Sequence, residues 1–116
     1  MSLDAAEILA GAEAETGLSD YGDPTLPERF GIAVDHLNGL GMDADGCRQA
    51  ADVCHWLLTT RLEFIEDRNR YPIADEVIDR PLIIAAVPRS GSSILFELLS
   101  LDPAFGSPRQ WEMMFP

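Results

Sequence analysis

The chain has 116 residues, with twenty Asp and Glu against eight Arg and no Lys, and a formal net charge of −12. A field of that sign repels nucleic acid and anionic lipid, and no segment approaches the roughly 20 consecutive apolar residues that a membrane span requires. Its 47% hydrophobic content is that of an ordinary globular protein, and its length allows at most one domain. Four acidic residues by Glu15 and no basic leader argue against a secretory signal, so a soluble, cytoplasmic chain is expected.

In chain order, residues 3–16 read as a helix with Leu3, Ala6, Ile8, Leu9 and Ala12 available to one face, and Gly17 as its stop. Residues 18–24 carry turn chemistry. A second helix starts between Thr25 and Pro27, carries Phe30, Val34, Leu37 and Leu40 on one stripe, and ends in Asn38-Gly39-Leu40-Gly41. Asp43 or Asp45 caps a third, longer helix, in which Cys47, Ala50, Ala51, Cys54, Leu57, Leu58, Leu62 and Ile65 follow the 3.6-residue period. Its charged end has Glu63 and Asp67, and Glu66 and Arg70, at helical spacing, as a solvated face does, before Tyr71-Pro72 ends the helix. Cys47 and Cys54 lie roughly 10 Å apart along this helix, beyond disulfide reach, and read as reduced core residues. His36 and His55 read as structural, and no set of Cys, His and carboxylates has metal-ligand spacing, so no metal is expected.

The chemistry concentrates in residues 81–102, PLIIAAVPRSGSSILFELLSLD. The unbroken apolar run 82–87 suits a buried parallel strand, and the apolar run 94–101 predicts a largely buried helix. Between them, Pro88-Arg89-Ser90-Gly91-Ser92-Ser93 sets backbone N–H groups, hydroxyls and one guanidinium at a helix N-terminus, where phosphate or sulfate binds. Lacking lysine and the first glycine, the turn departs from the Walker pattern, which weighs against an ordinary ATPase or kinase. The expected fold class is therefore α/β: a helical segment, 1–77, followed at 78–116 by the first strand, phosphate-binding loop and helix of a P-loop-type three-layer domain. One strand cannot satisfy its own edges, so the chain is expected to be the N-terminal piece of a longer α/β protein.

The string Pro88-Arg89-Ser90-Gly91-Ser92-Ser93 resembles the phosphosulfate loop of the sulfotransferases, which use 3′-phosphoadenosine 5′-phosphosulfate (PAPS). Leu98-Leu99, Asp102-Pro103 and Trp111-Glu112, followed by apolar residues and a proline, are similar in order to the bacterial sulfotransferase-like family; so, at lower stringency, are Tyr21-Gly22-Asp23-Pro24 and Arg80-Pro81. The resemblance implies transfer of a sulfuryl group from PAPS, the co-substrate, to an acceptor hydroxyl or amine. It gives Arg89 the bridging and leaving oxygens, Ser90, Gly91, Ser92 and Ser93 the 5′-phosphate, and Glu112 the role of base. It also implies a further region for the 3′-phosphate and adenine that this chain does not contain, so the chain alone is expected to be inactive. The expected partners are thus a small-molecule nucleotide and an acceptor whose identity these residues do not encode.

Read without the resemblance, Arg89 is a surface arginine in a capping turn, Ser92 or Ser93 an N-cap, Glu112 a helix N-terminal carboxylate and Trp111 a packing residue. Two alternatives stand beside sulfuryl transfer: another nucleotide-dependent phosphoryl transferase, and a non-enzymatic acidic helical interaction module.

Overall fold

The computed structural model describes residues 2–109, 111 and 112. They divide into two units, Met1–Ala74 and Asp75–Phe115. The first holds three helices: α1 (Ala5–Thr16), α2 (Leu26–Gly39) and α3 (Ala44–Arg70), followed by a 3-10 turn at Pro72–Asp75. The second holds one, α4 (Ser92–Ser100).

Local signals set the ends of the first three helices. The Asp4 carboxylate accepts the N–H groups of Ala6 at 2.8 Å and Glu7 at 3.2 Å, satisfying two donors that the first turn of α1 leaves free. Gly17 ends α1 in the left-handed region, φ +70°, and donates its N–H to the Glu13 carbonyl. Thr25 precedes α2 without a side-chain cap, and Pro27 occupies its first turn, where the missing N–H costs nothing. Asp43 caps α3 through a 2.8 Å bond from the Gly46 N–H. At the far end Tyr71 is extended, the conformation that a following proline favours.

In the core of the first unit α1 packs chiefly on α3 and also on α2, burying Leu3, Ile8, Ala12, Tyr21, Val34, Cys47, Leu58 and Leu62. Two long-range tethers close it. Asn38 accepts the Leu3 N–H at 2.8 Å and returns its amide N–H to the Leu3 carbonyl at 3.0 Å, fastening the N-terminal segment to α2. Arg61 donates Nε to the Tyr21 carbonyl at 2.8 Å, and Asn69 donates to Asp20, clamping the link between α1 and α2 onto α3.

The stripes match the expected faces with four exceptions, the first being Ala6 of α1, which is exposed. Leu40 falls past the last residue of α2 and is exposed. Leu57 lies at the margin of the α3 face and is also exposed, whereas Thr59 is buried, its hydroxyl returned to the Trp56 carbonyl at 2.9 Å.

The second unit departs from expectation at the level of fold class. All regular structure among the described residues is helical, and residues 82–87 form neither strand nor helix. An α/β architecture with a first strand at this position is therefore ruled out for the described residues. A strand needs a neighbour to take its alternating N–H and C=O groups, and no second strand among the described residues lies alongside 82–87 to supply a ladder. The apolar run consequently stays in solvent, with Ile83 78% and Val87 73% exposed. The expected burial of the following helix fails for the same reason: α4 has no buried residue, and Ile94 and Leu98 are mostly exposed. A helix of such composition is buried only where another layer covers it.

Candidate functional site

The candidate site is the turn that leads into α4. Arg89 and Gly91 both adopt left-handed backbone, at φ +67° and +88°. Gly91 is the N-cap residue of α4, and a Cβ there would meet no atom within 4 Å. Its conformation and not its space therefore favours glycine. Having no side chain, Gly91 caps nothing. The first helical bond runs from the Leu95 N–H to the Gly91 carbonyl at 3.1 Å, and no side-chain cap serves the N–H groups before it. Left-handed residues placed before a right-handed turn gather successive N–H groups into a concavity that suits an anion.

Arg89, Ser90, Gly91 and Ser93 are exposed, and Ser92 is half-buried. Arg89 makes no ion pair or hydrogen bond among the described residues, so its guanidinium is available to an external anion. An open cleft of about 790 Å³ runs past Ser92, Ser93, Phe96, Glu97 and Arg109. Of the expected site residues only the two serines line it. Arg109 is a cation that the sequence reading passed over; the available signal was an arginine directly upstream of Trp111-Glu112. Glu97, in the same cleft, opposes an anion with its own charge.

Glu112 is placed as a cap. Its Oε2 accepts the Arg109 N–H at 2.6 Å, while its own N–H donates to the Arg109 carbonyl at 3.0 Å. This reciprocal pair is half of a capping box, with Arg109 in the N-cap position. Residues 113–116, with the apolar residues and proline that complete the Trp-Glu motif, lie outside the described residues.

Outside the turn, reactive side chains are held by ordinary packing. Burial pushes the Cys54 thiol up, which disfavours the nucleophilic thiolate. His55 sits over Gly11 with Nε2 3.5 Å from the Glu15 carboxylate, joining α3 to α1. Hydrogen bonds from the Thr25 hydroxyl and N–H hold the Asp23 carboxyl below the usual carboxylate range, with Arg29 adding to the effect. Among the described residues no group of three His, Cys, Asp or Glu side chains could hold a metal ion, and no helix is long and apolar enough to cross a membrane.

Compared with known proteins, the chain matches no family model, no curated protein and no solved structure.

Proposed function

We propose that residues 88–93 are the phosphosulfate-binding loop of a PAPS-dependent sulfotransferase-like protein. The observation that carries this reading is the pair of left-handed residues, Arg89 and Gly91, leading into a helix whose first N–H groups no side chain caps. The donor set fits a phosphosulfate: backbone N–H groups with the helix dipole behind them, the Ser92 and Ser93 hydroxyls, and an unpaired guanidinium. In sulfuryl transfer the acceptor attacks sulfur as the bond from sulfur to the phosphate oxygen breaks, and negative charge grows on that leaving oxygen. Arg89 would stabilise it there, while the serines and N–H groups would hold the 5′-phosphate in place. The acceptor proton needs a base. Glu112 enters the proposal only through Oε1, since Oε2 holds the Arg109 N–H.

The test is calorimetric titration of adenosine 3′,5′-bisphosphate, the product nucleotide, into a full-length form that carries the 3′-phosphate and adenine region and into its Arg89→Ala variant. One charge-assisted hydrogen bond of about 1.5–3 kcal/mol predicts at least a tenfold weaker Kd in the variant. Equal affinity in the two proteins would remove Arg89 from the site.

A second reading, an acidic helical interaction module, is favoured by the apolar surface that Leu82, Ile83, Val87, Ile94 and Leu98 leave exposed in the second unit, in a chain whose first unit is a folded set of three helices. Stable folding with no affinity for the nucleotide would support it over sulfuryl transfer.

A further inference from the structure

We draw no further inference here: the strongest candidate, the exposed apolar surface of the second unit formed by segment 82–87 and helix α4, carries nothing because nothing in the structure shows what covers it.

Discussion

Replacing Gly22 with alanine tests whether the clamp between the α1–α2 link and α3 is as tight as the geometry requires. Gly22 has φ +71°, and a Cβ built there would lie 2.5 Å from Ile65 Cδ1 and 3.1 Å from Cγ1. Two costs add. Left-handed backbone at a residue bearing a Cβ costs about 1–2 kcal/mol. Forcing Ile65 off its rotamer, or shifting the link away from it, costs about 1–3 kcal/mol more. The link has little room to shift, because the Gly22 N–H is held by Asp20 at 2.8 Å and the adjacent Tyr21 carbonyl by Arg61 at 2.8 Å. Gly17→Ala is the control, since Gly17 has nearly the same φ, +70°, and nothing within 4 Å of the added carbon. It incurs the backbone cost alone. Urea unfolding followed by Trp56 fluorescence, in a Trp111→Phe background so that only the first unit reports, would measure both. With a slope of about 1 kcal/mol/M, Gly22→Ala should lower the midpoint by at least about 1 M more than Gly17→Ala does. Trimming Ile65 to alanine should abolish that excess. Equal midpoints for the two glycine variants would refute the clash and the rigidity inferred for the link.

Leu62→Ala removes a fully enclosed side chain from the centre of the first unit and should cost about 2–5 kcal/mol in the same urea assay, whereas Leu40→Ala, in the same unit at a site 71% exposed, should change it by less than about 0.5 kcal/mol. Burial, with the nearby Glu13 carboxylate second, pushes the Tyr21 phenol up; the neutral form is favoured by the fold, so this contribution is whole below the unfolded pKa of about 10 and is lost as pH rises through the folded value. Stability should therefore fall more steeply above about pH 10 in the wild type than in Tyr21→Phe, and parallel pH profiles would contradict this. Among the described residues the enclosed Tyr21 hydroxyl has the Glu13 carboxylate nearby but no partner in good hydrogen-bonding geometry, so Tyr21→Phe should change stability little near neutral pH. A glutamate-specific protease should cut first after Glu76, in the exposed segment that opens the second unit, and mass spectrometry should find residues 1–76 persisting as a resistant fragment.

Helix ends and faces in the first unit were readable because each depends on neighbours a few residues away. Asp4, Gly17, Asp43 and Tyr71-Pro72 act on the backbone beside them, and the α3 stripe follows from helix geometry once its cap is placed. Misreadings began where a residue's fate depends on something distant. Leu57 and Thr59 flank the same face of α3, and which of them is enclosed depends on how α1 lies against that face. The requirement for glycine at position 22 comes from Ile65, far along the chain, and no local pattern announces it. Most of all, an apolar run such as 82–87 states that a segment would gain from burial; it does not provide the layers that bury it. A composition that reads as a buried strand and a buried helix therefore yields an exposed segment without regular structure and an exposed α4.

The candidate turn differs from these, because its geometry stands without tertiary support. Gly91 takes the left-handed region freely, but arginine does not: at Arg89 that conformation costs about 1–2 kcal/mol, and glycine or asparagine would hold it at less expense. Nothing packs against Arg89 to repay the strain, since the residue is exposed and makes no bond to the described residues. Local folding energetics alone therefore give no reason for an arginine there. Its charge does give one. Arg29, Arg48, Arg61 and Arg80 are spent on carboxylates or a carbonyl and Arg70 on the Tyr71 ring, whereas the side chains of Arg68 and Arg109, like that of Arg89, have no such partner among the described residues. A cation with no partner among the described residues, two residues before an uncapped helix N-terminus, is placed where an external anion would meet it. Arg80, at φ +50°, is a second exposed arginine in left-handed backbone, so strain alone does not single out this turn; the place of Arg89 two residues before the uncapped N-terminus of α4 does, and the nucleotide titration with Arg89→Ala decides between ligand binding and a plain capping turn.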